Sequence, residues 1–162
     1  PTDARPWVYH AGSAQGVAVM SDPSVELQAA IYTALNADAA LMALVGGVYD
    51  RVQRSADGSA APSVWGSQNG YISFGPEFVV YEDAECLDLR EVNMQIDVWS
   101  RQVGRVHCKR IVAEARRVLL AVPELTENAL VLAEAPLTRI TQDPDGLTTR
   151  GLIQLRYEVE AR

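Results

Sequence analysis

The sequence is poor in cysteine and has no long apolar run. Its two cysteines, Cys86 and Cys108, are too few for a framework of several disulfides. A single bridge between them is the less favoured alternative, because no export signal accompanies them. No stretch approaches the 18 apolar residues of a membrane span, so no membrane association is expected. The first twenty residues also lack the basic start and apolar core of a secretory signal, and we expect a soluble protein of a reducing cytoplasm.

Positive charge is also scarce. The 162 residues carry 14 basic and 21 acidic side chains, for a net charge of -7. This balance argues against a surface that grips phosphate backbones throughout, although it leaves room for a local basic patch. The hydrophobic content of 48% in a chain of this length fits one domain with a sizeable core.

Catalytic motifs are missing as well, although the pair His107–Cys108 with arginines downstream suggests a thiol enzyme. A phosphatase loop needs Arg six positions after its Cys, and Glu114 stands there instead. On a helical wheel Cys108 joins an apolar stripe, and His107 shares a side with Arg110, Glu114 and Arg117. We therefore predict that Cys108 is core and that His107 lies on a basic surface; a small hydrolase that uses the pair is a minor alternative.

Other candidate sites fail on spacing. Gly12–Gly16 is neither a nucleophile elbow nor a P-loop, and Asp143–Gly146 lacks the later ligands of a calcium loop. The two histidines and two cysteines show no zinc spacing. We expect no enzyme, no cofactor and no metal.

The periodicity predicts the order α, α, several β, α, β, β. Ser21 or Asp22 is suited to cap a first helix, and Asp38 a second, shorter one that ends before Gly46. Val25, Ala29, Ile31, Tyr32 and Leu35 fall near helical spacing in the first. Short strands are expected at Val48–Val52, at Val64–Trp65 and on both sides of Gly75–Pro76, and a helix follows Arg105. Residues 53–70 read as a long polar connection.

Two strands alternate most clearly. Val92, Met94, Ile96 and Val98 alternate with polar residues, and so do Ile153, Leu155, Tyr157 and Val159. Pro136 marks the strand-like segment before the Asp143–Gly146 turn as an edge or a bulge. The fold class is α+β, a single domain with a mostly antiparallel sheet and helices packed on one face. Residues 1–22 read as a flexible or partner-bound N-terminal arm, and residues 23–162 as the folded domain.

Charge is distributed unevenly along the chain. A basic helix surface follows directly on an acidic hairpin region, and such a pair of patches suits head-to-tail self-association. The candidate interface residues are Arg101, Arg105, Lys109, Arg110, Arg116 and Arg117 on the basic side, and Glu82, Asp83, Glu85 and Asp88 on the acidic side. Ordinary solvated surface charge is the alternative.

Three segments together resemble a known family. They are VELQAAIYTALNADAALMALVGGVYDRV, EVNMQIDVWSRQVGRVHCKRIVAEARRVL and TRITQDPDGLTTRGLIQLRYEVEA. In order and pattern they are similar to the tail-completion or tail-terminator proteins of long-tailed bacteriophages and of phage-derived gene transfer agents. The likeness spans about Ser24 to Ala161. The segment before Ser21 and the connection at 53–70 are longer than that family's pattern.

The resemblance implies a structural protein of the virion, at the tail end or neck, assembled in the bacterial cytoplasm. It implies a ring, typically a homohexamer, that caps the tail tube, stops its polymerisation and meets a head–tail connector or stopper protein. A head-completion or neck adaptor is the alternative, and a DNA-binding accessory that uses the basic helix is a third. In a ring, the polar strand faces are expected to line a lumen through which DNA passes without specific binding. The candidate lumen-facing residues are Glu91, Asn93, Gln95, Asp97, Gln154, Arg156, Glu158 and Glu160.

Overall fold

The structure is a computed structural model. It describes residues 22–84, 87–121 and 125–162, and for residues 82–84 and 87 it describes the backbone only. All but the last residue of the expected N-terminal arm lie outside these ranges. The elements are α1 (Pro23–Ala37), α2 (Ala39–Met42), β1 (Val48–Tyr49), α3 (Pro62–Trp65), β2 (Gly70–Ala84), β3 (Leu87–Ser100), α4 (Val106–Leu120), β4 (Ala129–Gln142) and β5 (Thr149–Glu160).

One five-stranded sheet organises the domain, in the order β1-β2-β3-β5-β4. The four long strands pair antiparallel, and only the two-residue β1 pairs parallel, with Ile72 and Ser73 of β2. Helices α1, α2 and α4 pack on one face, with α4 above β4 and β5 and α1 above β1. The predicted α+β class is confirmed. No described helix is long and apolar enough to cross a membrane.

The core lies between this face and the helices. The alternating apolar residues of β3 and β5 all point into it and are almost completely buried, as predicted: Val92, Met94, Ile96, Val98, Ile153, Leu155, Tyr157 and Val159. At about 25 cal/mol per Å² of apolar surface, each such side chain contributes roughly 1.5–3 kcal/mol. Burial of alternate positions also fixes the strand register, because a one-residue slip would expose the whole set.

Capping carboxylates start the first two helices where the sequence predicts them. Asp22 accepts a hydrogen bond from the N–H of Ser24, and Asp38 accepts one from the N–H of Leu41. The buried stripe of α1 is Leu27, Ile31 and Leu35, at intervals of four residues. Three of the five residues that the sequence places at helical spacing, Val25, Ala29 and Tyr32, are instead exposed on the side of the helix.

Two strand predictions are wrong. Val64 and Trp65 form the one-turn helix α3, begun by Pro62, rather than a strand. The segments on both sides of Gly75–Pro76 form one strand, β2, whose register shifts by a bulge between Phe74 and Glu77. The bulge accommodates the proline, which has no N–H to donate to a ladder.

The second face of the sheet is partly covered at one end. Trp65 of α3 packs edge-on against Tyr71 of β2, with ring centroids 4.7 Å apart, and Tyr71 stacks on Trp99 of β3. This small apolar cluster lies on the face opposite the main core, because Tyr71 and Trp99 alternate with the core residues Ile72 and Val98. The polar residues that the sequence predicts on this face of β3 end at Asp97, and Trp99 continues the face as part of the aromatic cluster.

Candidate assembly surfaces

The structure separates His107 from Cys108, as the helical wheel predicts. Cys108 is fully buried, and burial raises the pKa of its thiol to about 11, so that it stays protonated at neutral pH. His107, however, is also buried, with only 8% of its surface exposed. Its Nδ1 lies 2.8 Å from the Ser100 hydroxyl and its Nε2 lies 3.1 Å from the Leu44 carbonyl oxygen. The predicted placement of His107 on the basic surface is therefore wrong; it ties α4 to β3 and to the loop after α2.

The basic residues of the α4 region do lie on the surface. Arg105, Lys109, Arg110 and Arg116 are exposed along the outer side of the helix, away from its buried stripe. Within the described residues, no salt bridge engages these four side chains. They form a local positive surface on a protein of net charge -7.

The other two basic candidates have partners within the chain. The Arg117 guanidinium pairs with Asp38 of the α2 cap and, at 2.9 Å, with Glu114. Its hydrogen bond to Asp38 lowers the pKa of that carboxyl. Arg101 lies over the Trp65 ring, 4.1 Å from its centroid. Both therefore hold pieces of the domain together, which the linear charge count could not reveal.

Three of the acidic candidates, Glu82, Asp83 and Asp88, lie at the adjoining ends of β2 and β3. Asp83 is opposite Asp88 in the strand register. The side chain of Asp88 is exposed and accepts hydrogen bonds from Arg90. Glu85 and the side chains of Glu82 and Asp83 lie outside the described residues. Asp22, at the start of α1, adds a carboxylate 3.7 Å from Arg90.

The eight candidate lumen residues do share one face. β3 and β5 pair Glu91 with Glu158, Asn93 with Arg156 and Gln95 with Gln154. Residues that face one another in an antiparallel register point to the same side of the sheet, so these pairs form successive rows on the face opposite the helices. Whether this face lines a lumen stays a prediction.

A charge network orders this face. Arg156 of β5 donates hydrogen bonds to Glu91 at 2.6 Å, to Glu158 at 2.6 Å and to Glu134 of β4 at 3.3 Å. Hydrogen bonds from Asn93 and then from Arg156 lower the pKa of Glu91. One guanidinium thus serves three carboxylates, and this half of the face keeps a negative balance.

Asp97 differs from the other candidates because it is buried, with 6% of its surface exposed. It is held by Arg150 of β5 through hydrogen bonds of 3.0–3.2 Å and by Gln95 at 3.0 Å. Asp97 is thus one of the candidate lumen-facing residues, but its carboxylate is buried and paired with Arg150. It lines the floor of an open depression of about 770 Å³ between the 50–54 segment and the aromatic cluster.

Several residues of this face were not among the residues that the sequence predicted there. Glu134 of β4 and Arg150 of β5 supply charges, while Phe78 and Val80 of β2 add exposed apolar side chains. Only the sheet order brings them together, because β4 lies beside β5 and β2 beside β3. The position of Val80 opposite Glu91 was not readable from a strand interrupted by Gly75–Pro76.

The fold defines a class of protein: a single α+β subunit whose helices cover one side of the sheet and whose other side carries this ordered polar face. The sequence profile of the family described as "Tail completion protein gp17" matches residues 29–160. The chain belongs to this family. No curated protein matches the sequence.

Solved structures share the fold. A chain in the "Virion of native gene transfer agent (GTA) particle" superposes with a TM-score of 0.71 at 26% identity, covering 85% of this chain and 97% of that one. The "Structure of bacteriophage SPP1 gp17 protein" has a TM-score of 0.51 at 19% identity and covers 83% of this chain and 88% of that one. The second likeness concerns the fold alone.

Proposed function

We propose that this tail completion protein assembles into a ring of identical subunits at the end of a phage or gene transfer agent tail tube. The ring ends tube polymerisation and presents a surface to the connector or stopper protein of the head. The observation that carries the proposal is the two-sided sheet: helices cover one face, while the other carries an ordered charge network of the kind that a channel wall requires.

The same face is suited to line a DNA passage. Arg156 is shared by Glu91, Glu134 and Glu158, so this half of the face stays negative and its arginine is already engaged. A negative wall repels phosphates and gives no counterion release, so DNA would slide past it without binding. The mechanism uses no catalytic residue, and the buried, protonated Cys108 thiol suits a core position better than a nucleophile.

Deletion of the gene tests the proposal in producing cells. Electron micrographs of the mutant particles should show overlong tails or tails separated from heads, and expression of the protein in trans should restore them. Normal joined tails in the deletion strain would refute the proposal. A ring found inside the head connector of a particle reconstruction would instead identify a neck adaptor.

A DNA-binding accessory is the second candidate, favoured by the exposed basic side of α4. Arg105, Lys109, Arg110 and Arg116 are all available to phosphates in the single chain. Retention of duplex DNA that falls steeply with salt would support this role. Absence of retention at low salt would remove it, and the charge-reversal variant Lys109→Glu serves as the matched control.

A further inference from the structure

The outer edge of β2 is open from Glu77 to Ala84, about half of the length of the strand. β1 pairs only with Ile72 and Ser73 on that edge, so within the described residues no strand lies on the outer side of β2 beyond the bulge at Gly75–Pro76. This half carries exposed apolar side chains, with Phe78 58%, Val80 41% and Tyr81 62% exposed. An unpaired edge with exposed apolar side chains is a template for another strand, and this half has no proline beyond the bulge to prevent such pairing.

The opposite edge of the sheet, formed by β4, is divided into two halves. Pro136 sits in a register shift between Glu134 and Leu137, and this irregularity interrupts pairing at the middle of the strand. The half before it, Ala129–Ala135, is mainly apolar, and Val131 is 56% exposed. The sequence analysis attributed Pro136 to an edge strand, and β4 is one.

The two open halves lie at the same level of the sheet. Val80 of β2 is in the row of Glu91, Glu158 and Leu132 of β4, as the strand registers show. The closed half of β2, where β1 sits, is at the level of Arg139 and Ile140, beyond Pro136. The open half of β2 is therefore level with the Ala129–Ala135 half of β4, and the part of β2 that β1 covers is level with the half of β4 beyond Pro136.

Strand direction fits the same arrangement. β2, β3, β5 and β4 alternate in direction, so a second copy placed side by side in the same orientation sets its β2 antiparallel to the first copy's β4. We propose that neighbouring copies in the ring join edge to edge, with Ala129–Ala135 of one copy pairing with the open half of β2 in the next. The inference rests on the proposed ring and names its subunit contact. Such a contact is heterologous, the type that closes into rings.

Charge on the helix side of the contact is complementary. Arg117 turns toward α2, where it binds Asp38, while Arg116 and Lys109 lie on the other flank, above the β4 edge. Arg116 stands between Val112, which touches Gly151, and Leu119, which accepts a hydrogen bond from Tyr157.

Those two contacts place Arg116 between the levels of Gly151 and Tyr157 on β5, and Glu77 lies within the same span, in the row of Met94 and Leu155. Glu77 is exposed beside Asp22, without a salt-bridge partner among the described residues. Joining the edges therefore directs Arg116 of one copy toward Glu77 of the next.

Cysteine cross-linking in assembled particles tests the contact. Val80→Cys and Leu132→Cys place thiols in one row at the two open edges, in a Cys86→Ser background that leaves only the buried Cys108. With a short bis-maleimide, the double variant should give a ladder of covalent oligomers that ends at the ring size. Each single variant should give no ladder, because each head-to-tail contact then has only one reactive thiol and the cross-linker needs two.

The outcomes separate this contact from the ring itself. Visible rings without a ladder in the double variant would overturn the edge contact and leave the proposed ring standing. Cross-linked dimers from Val80→Cys alone would show a two-fold β2–β2 contact and overturn it too. Particles without any ring of this subunit would remove both proposals.

A charge swap gives an independent measurement. Arg116→Glu and Glu77→Arg should each reduce the yield of joined particles by at least about tenfold, since each puts like charges at the contact. The two together should restore most of the yield. Equal loss in the double variant would contradict the pairing of these residues. Arg110→Glu, on the flank nearer α2, is the matched control and should leave the yield within about twofold of wild type.

Discussion

The Glu26 carboxylate in α1 receives both the backbone N–H and the side-chain amide of Asn128, at 3.1 and 2.8 Å. Its other oxygen accepts hydrogen bonds from Thr126 and from the N–H of Glu127, at 2.9 Å for the latter. Partial burial acts to raise the pKa of Glu26, but these hydrogen bonds outweigh it and lower the pKa to about 2. One side chain of the first helix thus fixes the segment that leads into β4.

Replacement Glu26→Gln should destabilise the domain. The glutamine amide replaces one of the two acceptor oxygens of Glu26 by an NH2 group. The donors on that side lose their acceptor, so at least one hydrogen bond to a charged group is lost. We expect the free energy of unfolding to fall by about 1–3 kcal/mol in urea titrations. Glu114→Gln, which removes only an exposed pair with Arg117, is the control and should cause no measurable change. An equally stable Glu26→Gln variant would contradict this role.

The same carboxylate predicts a pH dependence. Its pKa is about 2 in the folded chain against an ordinary 4.5, so the folded state binds fewer protons between these values. The stabilisation by Glu26 is therefore complete above about pH 4.5 and is lost as the pH falls toward 2. The difference in unfolding free energy between wild type and Glu26→Gln should shrink across this range. A difference that stays constant would show that Glu26 is not the titrating group.

Gly151 of β5 sets the distance between α4 and the sheet. A Cβ at this position would lie 2.5 Å from Cγ2 of Val112 and 3.1 Å from Sγ of Cys108. Gly151→Ala should lower the unfolding free energy by about 1–3 kcal/mol through overpacking. Val112→Ala removes the contacting methyl groups, so the double variant should lose less than the sum of the two single losses. Simple additivity in denaturant titrations would show that the two residues do not collide.

His107 should remain neutral at unusually low pH. Burial lowers its pKa below the ordinary 6.5 and Arg110 adds to this effect, while the hydrogen bond to Leu44 opposes it without prevailing. In the unfolded chain His107 binds a proton near pH 6.5, whereas in the folded chain it stays neutral to lower pH. The free energy of unfolding therefore falls as the pH drops below 6.5. A nitrogen-15 NMR titration should show Nε2 carrying the proton, with a midpoint below 6.5. His10→Gln leaves one imidazole to assign, and a midpoint above 6.5 would contradict the buried geometry.

Sequence periodicity was sufficient for β3, β5 and the buried stripe of α4, although not for α3 or β2. The alternation in β3 and β5 predicted every core residue of those strands, and the apolar stripe of α4 placed Cys108 correctly. Both patterns are local, because a strand or helix repeats its buried side every two or about 3.6 residues. Proline and glycine likewise marked the β4 edge and the turn at Gly146.

Features that depend on distant residues were not predictable in this way. His107 is buried because Leu44, 63 positions away, supplies an acceptor, and Asp97 is neutralised by Arg150, 53 positions away. The helical wheel of α4 contains neither contact. The open half of β2 is likewise a property of strand order, since it exists only because β1 stops after two residues.

The irregularities at Gly75–Pro76 and Ala135–Pro136 lie in adjacent rows of the sheet: the first is opposite Gln95, and the second is opposite Leu155, the partner of Met94. A bulge bends its strand and increases the local twist, so both outer strands change direction where the inner ones continue. The two outer strands thus bend near the same place along the sheet, and the line that joins the two bends is called the crease. If copies join by these outer strands, the angle of that crease sets how far each subunit turns from the last. The diameter of the ring would then be encoded by two prolines rather than by any contact at its centre.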